Sequence, residues 1–195
     1  MQLIAQNLTG RFVRLEPLLE AHREGLRAAA SDPAIWTYMP DDGNGPGFDS
    51  WFDAGRKIHE SGAHIAFAVR RLTDNILVGS TRFFEIVPAH KRAEIGWTWY
   101  AKSAQASAVN PECKLLLLAY AFAAGANRIE LKTDARNARS RAAIMKLGAK
   151  EEGIFRAHMV VRDGYIRDTV YFSIIRSEWP EVRAGLEARL AAEKI

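Results

Sequence analysis

The chain has 195 residues, of which 48% are hydrophobic and 26% are charged. This length and composition suit one globular domain and exclude a disordered chain. Lysine and arginine total 27 against 23 aspartates and glutamates, a formal net charge of +4, but the basic residues form no run of five or six. We therefore expect no nucleic-acid partner, and the small positive excess suits a phosphorylated small molecule equally well.

Membrane insertion and secretion are not predicted. The longest apolar run, residues 115–124, has ten residues, whereas a helix needs about 20 to cross a bilayer. The N-terminus has neither the basic start nor the apolar stretch of a secretory signal. The single cysteine, Cys113, excludes an internal disulfide. We therefore expect a cytoplasmic location and no membrane contact.

Hydrophobic periodicity and the positions of glycine and proline predict alternating strands and helices. The predicted strands are residues 10–15, 64–70, 76–84, 94–100 and 128–133, and two further strands flanking Asp163-Gly164. The predicted helices are residues 18–30, 48–61, 111–124, 137–147 and 177–192, with a loop over residues 32–47. The pattern indicates a single α/β domain, residues 1–195, with a mixed sheet.

The helix after residue 110 has the clearest boundaries. Asn110 is its predicted N-cap, Pro111 occupies the first helical position, and Gly125 stands just past the end. A strand that feeds a short loop and then a helix directs free backbone N–H groups and the positive end of the helix dipole at one point. This segment is therefore a candidate anion site.

Other candidate motifs are not supported. The histidines at 59 and 64 are five residues apart, whereas the helical zinc-protease motif needs four. The glycines at 43, 45 and 47 follow no predicted strand and are interrupted by Pro46, so they do not form a dinucleotide fingerprint. Cys113 is interpreted as a small buried thiol. No metal site is predicted.

Six motifs in order resemble the GNAT superfamily of acetyl-CoA-dependent N-acetyltransferases, and within it the RimJ/RimL-type branch, which modifies protein N-termini or small amines. They are Arg11–Pro17, Val78–Thr81, Glu94–Trp97, Asn137–Ser140, Leu147-Gly148 and Glu152–Arg156. The resemblance implies a mixed, mostly antiparallel central sheet of about seven strands flanked by helices. It also implies acetyl-CoA as the cofactor and an amine acceptor, and it leaves open whether the chain forms a homodimer.

The same resemblance assigns the cofactor contacts. Trp97, Thr98 and Trp99 would pair with the pantetheine arm through their backbone, although the two tryptophans could equally be core residues. The pyrophosphate would be bound by Gln105, Ala106, Ser107, Ala108, Val109 and Asn110. Ala108 and Asn110 replace the small residues of the family loop, so Ala108 needs a negative φ, and Glu112 adds an unfavourable charge. Asn137 and Ser140 would add cofactor contacts, with a helix N-cap as the alternative role of Asn137.

Glu94 is the predicted general base, and a salt-bridged structural carboxylate is the alternative. Glu152 and Asp168 are weaker candidates for the base. Ile144 occupies the position of the family's usual tyrosine acid, so another group or water must protonate the leaving thiolate. The predicted acceptor-binding residues are Trp36, His158, Asp168 and Tyr171.

The sequence thus predicts direct acetyl transfer to a protein α-amine or a small-molecule amine. The altered loop and the missing tyrosine keep open a non-catalytic acyl-CoA sensor on the same fold, since fold alone does not fix activity.

Overall fold

The computed structural model describes residues 1–193, in which helices cover both faces of an eight-stranded sheet. The strands are β1 Leu8–Thr9, β2 Val13–Pro17, β3 Ile65–Arg71, β4 Ile76–Val87, β5 Arg92–Tyr100, β6 Arg128–Asp134, β7 Lys150–Val160 and β8 Ile166–Ile175. The helices are α1 Arg23–Ala29, α2 Phe48–Glu60, α3 Val109–Ala123, α4 Ala138–Lys146 and α5 Trp179–Ala191. Short 3₁₀ turns interrupt the loop between α1 and α2.

The strand order is β1-β2-β3-β4-β5-β6-β8-β7, and every pair is antiparallel except β5 with β6. The expected mixed, mostly antiparallel sheet is confirmed. It has eight strands rather than about seven because the two-residue β1 pairs with β2. The parallel pair is short: it ends where Glu94 lies opposite Glu130.

Alternation along the strands divides the apolar side chains between two cores. One core lies under α3 and α5 and contains residues such as Leu117, Phe172 and Leu186; we call this side of the sheet the α3 face. The other lies under α1 and α2 and contains residues such as Phe52 and Trp99; this is the α2 face. Glu94 alternates with Ala93 and Ile95, which belong to the first core, so its side chain lies on the α2 face.

Several predicted boundaries differ from the structure: the strand predicted at residues 10–15 is Val13–Pro17, and two helices begin at other residues than predicted. Helix α3 begins at Val109, so Asn110 lies in its first turn and is not the N-cap. The Ser107 hydroxyl accepts the Val109 N–H at 3.2 Å and takes over the capping role. Helix α1 begins only at Arg23, after a 3₁₀ turn. Gly125 follows the end of α3 with φ +94, as predicted.

Candidate active site

Strand β5 parts from β6 at the centre of the sheet. Their pairing covers only Arg92, Ala93 and Glu94 of β5, although β5 continues to Tyr100. On the other side of β5, Ser80 pairs with Trp99 but Arg82 pairs with Gly96, so Trp97 and Thr98 form a β-bulge. Trp97 has φ +51. The opening between β5 and β6 leaves strand backbone that an extended ligand can pair with.

The loop before α3 adjoins this opening. Ala108 has φ −64, so its methyl group causes no backbone strain, whereas Ala106 carries the positive φ, +54. The guanidinium of Arg139, from the first turn of α4, donates to Gln105 Oε1 at 2.8 Å and adds positive charge to the loop. The loop, the free N–H groups at the start of the helix and this arginine can together bind an anion.

Glu112 was expected to add its charge to the anion-binding loop, but its carboxylate contacts another part of the chain. Its buried carboxylate turns towards the start of β2, where it accepts the backbone N–H groups of Arg11, Phe12 and Val13 at 2.8, 2.6 and 2.7 Å. Gly10 leaves the space it needs, since a Cβ there would lie 2.4 Å from the Glu112 carboxyl carbon. Three backbone donors therefore stabilise this charge at the start of β2, and its effect on pyrophosphate binding stays a prediction.

Lys114 is a site residue that the sequence analysis missed. It is 5% exposed, and its Nζ donates to Thr98 Oγ1 at 2.9 Å. Burial lowers the pKa of its ammonium group to about 8. The helical period of the sequence could have predicted that Lys114 is buried. It precedes the buried Leu117 and Leu118 by three and four residues and so lies on the same face of the helix.

A cavity of about 730 Å³ opens on the α2 face beside the end of the β5–β6 pairing. It brings together four of the predicted residues, Glu94, Glu152, His158 and Tyr171, with Lys132 and Phe155. The rings of Phe155, His158 and Tyr171 contact one another with centroids 4.6 to 5.6 Å apart. The cavity therefore combines an aromatic wall with ionisable groups.

Glu94 lies in this cavity wall and is only 1% exposed. Its Oε2 pairs with Lys132 Nζ at 3.1 Å, while Oε1 has no hydrogen-bond partner among residues 1–193. Burial raises the pKa of the carboxyl group to about 7, although Lys132 opposes the shift. A carboxylate with this pKa can accept a proton near neutral pH, which a general base requires.

Three predicted residues make structural contacts. Asp168 Oδ1 accepts the Ala157 N–H at 2.7 Å and stabilises a bulge in β7. Glu152 pairs with Arg128, which holds the pKa of its carboxyl group at about 2, too low for a base near neutral pH. Asn137 Oδ1 accepts the Ser140 N–H at 3.0 Å, so its alternative role as the N-cap of α4 is confirmed.

Trp36 does not line the cavity. It is 1% exposed, its indole N–H donates to the Ala30 carbonyl at 3.0 Å, and its ring packs against Trp51 and Trp99 at 5.3 and 5.4 Å. The three tryptophans form part of the core under α2, which corrects the expected place of Trp36 in the acceptor site. The side chain of Trp99 is likewise part of this core, which was the alternative role given for it in the sequence analysis.

Comparison with known proteins agrees with this geometry. Residues 13–150 match the family model described as "Acetyltransferase (GNAT) domain". The chain belongs to this family. A crystal structure of a GCN5-related N-acetyltransferase from Brucella melitensis superposes with a TM-score of 0.91 and 32% identity, over 97% of this chain and 87% of that one.

Two further similarities are more limited. The Bacillus subtilis (strain 168) protein named "Putative ribosomal N-acetyltransferase YdaF" is 31% identical over 109 residues, which are 55% of this chain and 58% of that protein. The chain thus aligns with little more than half of this curated relative. Mycobacterium smegmatis RimJ in complex with CoA-disulfide has a TM-score of 0.81 over 98% of both chains, at 22% identity, and so shares the fold.

Membrane-spanning helices and metal-binding clusters are both absent from residues 1–193. None of the helices within residues 1–193 is long and apolar enough to cross a membrane. In the same range, no group of three or more histidine, cysteine, aspartate or glutamate side chains is arranged to hold a metal ion.

Proposed function

We propose that this GNAT-family protein transfers an acetyl group directly from acetyl-CoA to the α-amine of a peptide, or to a small-molecule amine of similar pKa. The observation that carries the proposal is Glu94, a buried carboxylate with one unpaired oxygen and a pKa of about 7. It lies in a cavity directly beside the point where β5 leaves β6.

The residues present fit acetyl-CoA, which supplies an activated thioester when bound. The backbone of Trp97, Thr98 and Trp99 would hold the extended pantetheine arm along the open edge of β5. The Gln105–Asn110 loop would hold the pyrophosphate, together with Arg139 beside Gln105. Ser140, in the first turn of α4, remains a candidate for a further contact.

Each chemical role falls to a group of this chain. Glu94 Oε1 takes the proton of the amine, and backbone N–H groups at the bulge stabilise negative charge on the reacting carbonyl. Ile144 is buried and has no proton to give. We assign the leaving group's proton to Lys114 Nζ, which lies beside Thr98 on the same bulge and can release a proton near pH 8.

The acceptor class follows from ionisation. An α-amine with a pKa of about 7.7 to 8.0 is roughly 10 to 15% neutral at pH 7, whereas a lysine side chain near 10.4 is neutral only about 0.04% of the time. A base with a pKa of about 7 matches the first acceptor better. The name of YdaF, a putative ribosomal N-acetyltransferase, is consistent with acetyl transfer to a protein acceptor, which here remains a proposal.

A thiol-release assay with acetyl-CoA tests the function. Peptides with free N-termini should release CoA, matched peptides with blocked N-termini should not, and mass spectrometry should place the acetyl group on the α-nitrogen. Acetylation confined to internal lysines would refute the acceptor class. Tight binding of acetyl-CoA in calorimetry, with no CoA released in the presence of any amine, would favour the acyl-CoA sensor. Ile144, in place of the tyrosine acid, is the reason for testing that alternative.

A further inference from the structure

Two arginines on the α2 face are buried without a carboxylate partner. Arg82 in β4 is 3% exposed and Arg167 in β8 is 5% exposed. The Nε atom of each is enclosed and has no acceptor among residues 1–193. The guanidinium of Arg82 lies 4.6 Å from the centre of the Trp97 ring, which gives it a partner of another kind. Arg167 has no such contact among the described residues.

Asp134, the carboxylate with the largest effect on the charge of Arg167, already accepts hydrogen bonds from Arg136. Asp134 lies opposite Thr169 across the β6–β8 pair, two residues from Arg167. Its two oxygens accept from Arg136, Oδ1 from the side-chain Nε at 3.1 Å and from the backbone N–H at 2.8 Å, and Oδ2 from Nη2 at 2.8 Å. Arg167 is therefore a buried cation whose Nε–H has no acceptor among residues 1–193. This arrangement costs free energy unless a ligand supplies the acceptor.

Arg167 lies on the face of the sheet that carries the cavity, although it is not one of the residues that line it. Along β8 it alternates with Thr169 and Tyr171, so the three side chains share the α2 face, and Tyr171 lines the cavity. Thr169 Oγ1 is also enclosed without a partner among the described residues. Burial lowers the pKa of Arg167, while the carboxylates of Asp134 and Glu94 raise it, so its charge lies within electrostatic reach of Glu94.

The polar groups without a partner on this face of the sheet are of two kinds. Glu94 Oε1 offers an unpaired carboxylate oxygen, and Glu85, an exposed glutamate on the cavity wall, forms no ion pair within residues 1–193. Arg167 and the Thr169 hydroxyl offer unpaired donors on the β8 side. A molecule that carries an amine and an anion would satisfy both ends at once. Guanidinium binds carboxylates through paired hydrogen bonds, so a carboxylate is the anion of choice.

We propose that Arg167, assisted by Thr169, binds a carboxylate of the amine acceptor, so that the preferred acceptors are amino acids or peptides with an acidic residue next to the N-terminus. This inference rests on the proposed function for the position of the amine at Glu94. The carboxylate orients the acceptor, and Glu94 takes its proton. Arg167 is a specificity-determining residue in this account.

Calorimetric binding in the presence of CoA tests the inference without requiring turnover. The probes are the amidated peptides Ser-Asp-Gly-Phe and Ser-Asn-Gly-Phe, which differ only in one carboxylate, and β-alanine with its amide. Wild-type protein should bind the carboxylate member of at least one pair about 10 to 100 times more tightly, the range of a charge-assisted hydrogen bond of about 1.5 to 3 kcal/mol. Preference in the peptide pair alone would identify an acidic N-terminus, and preference in the β-alanine pair alone a small amino acid.

Three variants locate the effect. Arg167→Gln should abolish the preference while binding of the neutral probe changes by less than about threefold. Arg167→Lys keeps the charge but lacks the planar fork, and should retain part of the preference. Arg92→Gln is the matched control, because Arg92 lines the cavity but is paired with Glu130, and it should leave the preference intact.

Two outcomes would overturn the inference: equal affinity for both members of each pair in the wild-type protein, or an unchanged preference in Arg167→Gln. Should Arg167→Gln fail to fold, the wild-type pairs and Arg167→Lys still decide the matter. Carboxylate preference through Arg167 without any acetyl transfer would support this inference and contradict the proposed function. Acetyl transfer with no carboxylate preference would support the proposed function and contradict this inference.

Discussion

Two buried carboxylates on opposite faces of the sheet differ in how completely they are satisfied. Glu112 on the α3 face is 4% exposed and accepts three backbone N–H groups at 2.6 to 2.8 Å. Glu94 on the α2 face is 1% exposed, pairs only with Lys132, and leaves Oε1 without a partner among residues 1–193. The first carboxylate fixes the start of β2 against α3, and the second keeps a free lone pair in a cavity.

The difference separates structural from functional charge. Buried polar groups in folded proteins are normally hydrogen-bonded, so a buried atom without a partner calls for another explanation. Strongly shifted pKa values concentrate in active sites for the same reason. By this criterion Glu112 contributes stability, whereas Glu94 and Arg167 have atoms free for chemistry.

The largest expected effect tests the functional carboxylate. Glu94→Gln should lower turnover by about 10² to 10⁴, the usual contribution of a general base. The free energy of unfolding should change little, because the substitution removes a charge that burial disfavours. Steady-state kinetics and urea denaturation measure the two quantities. Unchanged turnover across the pH range would return Glu94 to a structural role.

The second prediction concerns the structural carboxylate. Glu112→Ala should lower the free energy of unfolding by about 3 to 5 kcal/mol, because it leaves three backbone N–H groups without their acceptor, each costing about 1 to 3 kcal/mol. Glu112→Gln retains one acceptor oxygen and should cost less. Urea denaturation monitored by tryptophan fluorescence measures both. A loss below about 1 kcal/mol in the alanine variant would contradict the contrast with Glu94.

The third prediction uses Lys114, whose folded-state pKa of about 8 lies below the ordinary lysine value of 10.5. Between these values the unfolded chain binds more protons than the folded one, so this group makes stability rise with pH, by on the order of 3 kcal/mol in total. Below pH 8 the full cost of charging the buried amine is present. Lys114→Met should remove this rise when unfolding is compared with wild type from pH 7 to 10. Parallel pH curves for the two proteins would show that Lys114 titrates normally.

The smallest effect concerns the glycine beside Glu112. Gly10→Ala should destabilise the protein by about 1 to 3 kcal/mol, because its Cβ would overlap the Glu112 carboxylate unless one of them moves. Gly185→Ala is the matched control, since a Cβ there meets nothing within 4 Å. Thermal denaturation compares them. Equal melting temperatures for the two variants would show that the carboxylate has room to shift.

Local patterns in the sequence predicted much of the fold. Proline and glycine punctuation placed α3 and α4, the period of two placed β3, β4 and β5, and Asn137 was a foreseeable helix cap. The start of α3 was misplaced by two residues because Ser107, not Asn110, caps it. Glu94 was found because it begins a motif of the family.

The rest of the site depends on strand pairing, which no local pattern reveals. Lys132 pairs with Glu94 because β6 lies beside β5, and the charges of Arg167 and Glu94 influence each other because β8 lies beside β6. Trp36 was expected at the acceptor site because it precedes a glycine-rich loop, but burial of its large ring against Trp51 and Trp99 places it in the core.

The central claim is that Glu94 is a buried carboxylate left free to exchange a proton near neutral pH. Carbon-13 NMR of selectively labelled glutamate side-chain carboxyls, with the Glu94 signal assigned by its loss in Glu94→Gln, measures this directly. The account predicts a titration midpoint near pH 7, well above the usual 4.5. A midpoint at or below 4.5 would show that Lys132 holds the carboxylate ionised as a permanent ion pair, and would contradict its role as the base.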